Sequence, residues 1–185
     1  DIIKEILTAS KLDDEKRLGE ILDEMRSRSR MRLEGASHSA AVARACSYFS
    51  PVRAFDDMTG GIEYFHFLEK TADAYSKDEK FRKELVRKLK ETAEKLFAAD
   101  NLMVGYTADE EGYKALPEEL KKFKAALSDK PSRRYAFEFV PELKNEGFKT
   151  SSKVNYVARC GSFDAEPSTG ALEVLKVIMN YEYLW

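Results

Sequence analysis

The apolar residues change their spacing at about residue 130, and that change limits the possible folds more than any other feature. Before it the spacing is helical: Leu18, Ile21, Leu22 and Met25 recur at i, i+3, i+4 and i+7. Phe81, Leu85, Leu89, Leu96 and Phe97 mark one side of a later run whose other side carries Lys and Glu. After it, Tyr135-Ala136-Phe137-Glu138-Phe139-Val140 and Lys153-Val154-Asn155-Tyr156-Val157-Ala158-Arg159 alternate as half-buried strands do. Between the two regimes lies Ser128-Asp129-Lys130-Pro131-Ser132, polar, proline-containing and aperiodic, which reads as a linker. The pattern predicts an α+β fold, with helix-rich layers packed on a mixed β-sheet. Residues 1–127 would form one mostly helical unit, 128–132 the linker, and 133–185 a second unit of strands followed by a helix.

Local signals refine this. Asp13 or Asp14 can cap the first amphipathic helix, and Gly35 can stop it. A helix from Ser37 carries Ala40, Ala41, Ala43 and Ala45, small side chains that allow close approach, so it is expected to be buried. Ser50-Pro51 ends it, because proline disfavours a helical residue before it. A third helix is expected over 57–74, running through Gly60 and Gly61 despite their cost, and a fourth from Asp78. Asn101 to Thr107, NLMVGYT, reads as a short strand. A helix over 117–127 would hold Pro117 in its first turn. The last helix, about Ser168 to Tyr183, is expected to bury Leu172, Leu175, Val177, Ile178 and Met179.

Composition narrows the function classes. The chain has 185 residues, 43% of them apolar and 35% charged, enough for one domain or two small ones with a core. A net charge of −2 argues against a general binder of nucleic acids or membrane surfaces. Arg26, Arg28, Arg30 and Arg32, in RSRSRMR, scatter around a helix at period two and read as a solvated face rather than a phosphate site. No stretch approaches the ~20 apolar residues that span a bilayer. DIIKEILTASKLDDEKR is charged throughout and is not a signal peptide. With no initiator Met, the chain is expected to begin inside a longer protein or after processing, and a cytoplasmic location is favoured. Cys46 and Cys160 are too few for a disulfide framework or a four-ligand zinc site, and read as two small buried thiols.

Chemistry is sparse. In His66-Phe67-Leu68-Glu69-Lys70, His66 could be a zinc ligand and Glu69 a general base, but Lys70 stands where a second imidazole is needed. His38 lies beyond a proline break. His66 therefore reads as a packed or edge histidine beside Tyr64, Phe65 and Phe67. Cys46 or Ser47 with His38 would need to bridge ~12–13 Å of helical rise. Neither GxxxxGK[ST] nor GxGxxG occurs, and Met58-Thr59-Gly60-Gly61 is explained by a turn entering a helix. Asp13-Asp14, Asp56-Asp57 and Glu110-Glu111 mostly sit at helix starts and complement helix dipoles. From the residues themselves no catalytic, cofactor-binding or metal-ligating set can be assembled.

Taken as an ordered series, several segments do carry a resemblance. ASHSAAVARACSYFSP and FDDMTGGIEYFHFLEK are followed by EKLFAADNLMVGYTADEE, NEGFKTSSKVNYVARCGSF and GALEVLKVIMNYEYLW. That order resembles the carboxy-terminal half of the presequence-protease branch of the insulinase/pitrilysin-type zinc metallopeptidases, from LDDEKRLGEIL to Trp185. The resemblance implies four similar α/β domains in two halves that close around an unfolded peptide. Its inverted HxxEH motif and distal Glu ligand lie in the first domain. This chain would correspond to the end of the third domain and the start of the fourth. SKVNYVARCGSF would be an early strand there and GALEVLKVIMNYEYLW its helix. The family's Arg and Tyr in a VR..GGAYG-like stretch would follow Trp185. No catalytic residue is carried over.

The resemblance thus implies a non-catalytic fragment of a zinc-dependent oligopeptidase, forming chamber wall and closure and inactive alone. Zinc would belong to the parent and no cofactor to this stretch. Its partners would be the parent's remaining domains and a peptide substrate, with self-association possible and no nucleic acid or membrane. A stand-alone helical protein-interaction module is the alternative.

Overall fold

The computed structural model describes residues 2–131, 135–140, 142–151, 153–162 and 169–183. Ser132, Ser168 and Trp185, which figure in the expected linker and last helix, lie outside the described residues. Helices follow one another along the chain: α1 (Ile2–Ala9), α2 (Glu15–Gly35), α3 (Ser37–Ser47), α4 (Pro51–Gly60), α5 (Ile62–Lys77), α6 (Glu79–Leu96), α7 (Glu110–Lys124) and α8 (Thr169–Ile178). A 3-10 turn, Ala99–Asn101, follows α6, and a π-helical turn, Met179–Tyr183, extends α8.

Helix α5 is the centre of the packing. Leu68, Thr71, Ala72 and Tyr75 are buried at i, i+3, i+4 and i+7, and Ile62 is buried at the helix start. Leu68 retains 2% of its surface, and burying such a side chain contributes roughly 1.5–3 kcal/mol. Helices α2, α4 and α6 pack around α5, and α3 packs on α4. Helix α2 runs antiparallel to α5. Near its start, Gly19 lies 3.5 Å (measured from an ideal Cβ) from the Tyr75 ring, and the Tyr75 hydroxyl donates to the Glu15 carbonyl at 2.8 Å. Further along, Arg26 meets Asp73 at 3.2 Å and Arg30 meets Glu69 at 2.7 Å while lying over the Phe65 ring. Arg32 donates to the Gly60 carbonyl at the end of α4. The arginine run is therefore more than a solvated face. Arg26 and Arg30, four apart, bind α2 to α5, while Arg28 turns back to Glu24 on its own helix and Arg26 also meets Asp23 there.

Local chemistry accounts for several boundaries. Asp14 caps α2, accepting from the Arg17 N–H at 2.9 Å, and Gly35 is its last residue. Ser50 caps α4 with Pro51 in the first turn, and Asp78 caps α6. The continuous helix expected over 57–74 is instead two helices that meet at Gly61. Here an added Cβ would fall 2.8 Å from the Asp57 Cα and closer still to its Oδ1, so only glycine fits the corner. Helix α7 begins earlier than expected, because Asp109 caps it through the Gly112 N–H, and Pro117 sits inside it.

The expected α+β class is overturned. Among the described residues the only β-type pairing is a single parallel bridge, Ala98 with Ser128, and no helix packs on a sheet. NLMVGYT, 135–140 and 153–159 form no strands. Alternation fixes which faces an extended segment would present, but a ladder also needs a neighbouring strand to accept and donate its hydrogen bonds. Without one these side chains stay open: Met103 is 94% and Val157 98% exposed. The apolar side chains of α8 and of the turn after it are likewise exposed rather than buried, Leu172, Leu175, Val177, Ile178 and Met179 included. In α3, Ala40, Ala41 and Ala45 are half-buried and Ala43 is exposed, because the helix has α4 on one side and no sheet behind it.

Candidate functional site

Helix α3 places one long cation among small neighbours, in Ala40-Ala41-Val42-Ala43-Arg44-Ala45. Arg44 is 14% exposed and all three of its nitrogens are engaged. Its Nη1 donates to Asp57 Oδ2 at 2.5 Å and lies 3.4 Å from Glu63. Its Nε and Nη2 donate to the two oxygens of Glu146, at 2.8 and 3.1 Å, a bidentate fork. The guanidinium also lies over the Tyr48 ring at 5.1 Å, and the Tyr48 hydroxyl donates to Glu146.

Asp57 completes the arrangement. Its side chain is 4% exposed, and its second oxygen accepts the Ile62 N–H at 2.9 Å, satisfying an orphan donor at the start of α5. One carboxylate thus caps α5 and neutralises the cation of α3. Burial of two opposite charges is tolerable only with such complete bonding. The Arg44 hydrogen bonds hold Glu146 down at about 2, against an ordinary 4.5. The Tyr48 phenol is pushed up to about 12, first by burial and then by its bond to Glu146. Arg44 itself is raised, chiefly by Glu146.

Glu146 belongs to a non-helical segment that crosses the helices. Residues 137–140, Glu142 and Lys144 line a cleft of about 540 Å³ with Arg44, Tyr48, Asp57, Met58 and Phe67. Phe67, Phe137 and Val140 leave apolar surface open there. With its donors committed, Arg44 offers no free fork to an anionic ligand. The arrangement is a clasp between α3, the α4–α5 corner and a distant segment.

The residues weighed from the sequence fall elsewhere. His66 is half-buried on α5, its Nδ1 3.6 Å from Glu69 and its ring near Phe65 and Phe148, at 5.9 and 6.3 Å. Glu69 is taken by Arg30, and Lys70 is exposed. These residues do not fit a zinc site. Among the described residues no three His, Cys, Asp or Glu side chains gather as metal ligands. His38 packs on the Tyr156 ring at 5.7 Å, and the Ser47 hydroxyl donates to the Arg44 carbonyl, so neither joins the other. Cys46 and Cys160 are free and half-buried rather than buried, and they line one cleft. Of the acidic pairs, Asp14 caps α2, Asp13 meets Lys90 at 2.7 Å, and Glu110-Glu111 open α7. Asp57 breaks that pattern, since it lies near the end of α4 and acts across the corner.

Comparison with known proteins bears on this layout. Residues 1–70 match the family described as peptidase M-16C associated. The chain is 27% identical over 187 residues to Protein HypA of Clostridium perfringens (strain 13 / Type A), covering 100% of this chain and 19% of that protein. It is 25% identical over 184 residues to presequence protease 1, chloroplastic/mitochondrial, of Arabidopsis thaliana, covering 97% of this chain and 17% of that protein. Over residues 1–70 the chain is thus similar to a peptidase-associated region, and it is a distant relative of both proteins. It spans less than a fifth of the length of either relative. No solved structure matches it. The family match takes in α1 to α4 and the first half of α5, hence Arg44, Tyr48, Asp57 and Gly61. Glu146 lies beyond it, so the clasp fastens the peptidase-associated region to the later chain. No helix among the described residues is long and apolar enough to cross a membrane.

Proposed function

We propose that this chain is a non-catalytic stretch of a zinc-dependent peptidase of the presequence-protease kind, forming wall of a chamber that receives unfolded peptides. The observation that carries this reading is similarity along 97% of the chain to only 17% of a presequence protease. In this reading the open apolar side chains of α8 and of 154–157 are covered by other parts of the longer protein. The cleft beside Arg44, with Phe67 and Phe137 at its rim, faces the peptide. We place a boundary between two units at 128–132, where limited proteolysis should cut before it cuts α6.

The test compares the purified chain with the longer protein that contains it. The chain alone, with or without added zinc, should not hydrolyse an unfolded peptide, whereas the longer protein should. Phe67→Asp or Phe137→Asp in the longer protein should raise KM for that peptide without changing its zinc content. Hydrolysis by the chain alone, or unchanged kinetics in both variants, would overturn the proposal.

A further inference from the structure

Cys46 and Cys160 are 114 positions apart in sequence (160 minus 46) yet line one cleft with Phe49 and Arg53. Two placements fix how the later segment lies on α3. The Tyr156 ring packs on His38, and Cys160 lines the same cleft as Cys46. Eight residues of α3 rise ~12 Å. Four residues cover about the same distance only when nearly fully extended, ~13 Å. The segment 156–160 therefore runs parallel to α3 in matched register, which keeps the two cysteines on one cleft.

We propose that Cys46 and Cys160 are a redox modification site, converted to an intramolecular disulfide by exchange with a small-molecule disulfide. In the first step one cysteine thiolate attacks the oxidant, forming a mixed disulfide and expelling one small thiolate. In the second, the other cysteine sulfur attacks the protein's half of that bond, forming the Cys46–Cys160 bond and expelling the second small thiolate. Two electrons pass from the protein to the oxidant, and the two protons leave on the released thiols. The product pins a non-helical segment to α3, next to the clasp that Arg44 makes from the same helix. The Cys160 thiol is pushed up by the neighbouring Cys46 and then by burial, which keeps it protonated and slows its spontaneous reaction. The site is thus stable as a dithiol until an oxidant of suitable poise is present.

The experiment treats the full chain with oxidised glutathione and reads intact mass, free thiols and a non-reducing peptide map. The expected product is a monomer lighter by two hydrogens, with both thiols lost and one peptide joining Cys46 to Cys160. Cys46→Ser and Cys160→Ser should each stop at a single glutathione adduct. The same treatment in denaturant should lower the yield of intramolecular disulfide at least tenfold, because the folded register supplies the proximity. Persistence of two free thiols, adducts or intermolecular bonds as the main wild-type products, or equal yields folded and unfolded would each overturn the proposal.

Discussion

Arg44→Met removes the cation from the clasp while keeping a long apolar stem in α3. The Asp57 carboxylate, 4% exposed, would keep only the Ile62 N–H as a partner. Breaking a buried pair from one side costs about 3–5 kcal/mol, a large part of the roughly 5–15 kcal/mol that holds a typical domain. A second, smaller loss comes through Glu146. Holding a carboxyl at about 2 instead of its ordinary 4.5 corresponds to at most ~3 kcal/mol. With 27% of that side chain open to water, about 1–2 kcal/mol is the expected share. The sign follows from the direction: a depressed carboxyl stabilises the fold above its unfolded value and loses that contribution as pH falls. Wild-type stability should therefore drop between roughly pH 5 and pH 2 by about 1–2 kcal/mol more than that of Arg44→Met. Other depressed carboxyls, such as Glu94 beside Lys130, are common to both proteins and cancel. Urea unfolding followed by circular dichroism at a series of pH values measures both quantities. A loss below about 1 kcal/mol at pH 7, or superimposable pH slopes, would refute the clasp as a source of stability.

Gly61→Ala should destabilise by about 1–3 kcal/mol, since its Cβ would fall 2.8 Å from the Asp57 Cα and overpacked sites cost that much. Gly35→Ala, with nothing within 4 Å, should be neutral or stabilise by roughly 0.4–1 kcal/mol, so equal urea midpoints for the two variants would contradict the corner geometry. Elemental analysis of the tag-free chain should find no stoichiometric zinc. One bound zinc lost on His66→Ala would restore HFLEK as a metal site.

How much of this was legible in the sequence depends on how far apart the interacting groups lie. Caps act over two or three residues, so Asp14 and Asp78 mark helix starts that the structure reproduces, whereas Ser50-Pro51, read only as a break, also opens α4. The break at Gly61 was legible in principle, because two consecutive glycines shortly after an aspartate suit a corner closed by that carboxylate. Propensity alone, about 1 kcal/mol per glycine, undervalued it. Strands failed for a different reason. Tyr135 to Val140 alternates correctly, but pairing is a property of two segments, and alternation within one says nothing of whether a second lies beside it. The clasp was the least legible feature. Glu146 lies 102 positions from Arg44, and its only advance signal was a long cation set among alanines in α3.

That separation carries a consequence for the peptidase-associated region as a unit. The family match ends at Lys70, part-way along α5, after Leu68 but before Thr71, Ala72 and Tyr75. An excised 1–70 piece would keep Arg44, Asp57, Gly61 and Leu68 yet lose Thr71, Ala72 and Tyr75 from the buried stripe. It would also lose the Tyr75 hydroxyl bond to Glu15 and the packing against Gly19. Arg44 would keep Asp57 but not the bidentate fork from Glu146. Extending the piece to residue 98 restores the stripe and α6 and still omits Glu146. The expected order of stability is therefore 1–70 least, 1–98 intermediate and the whole chain greatest. Only the whole chain should show the extra loss between roughly pH 5 and pH 2 that comes from Glu146. Thermal unfolding of the three pieces at pH 7 and pH 3 measures it. A 1–70 piece that unfolds cooperatively at the temperature of the whole chain would show that the peptidase-associated region is self-sufficient and that the clasp only decorates it.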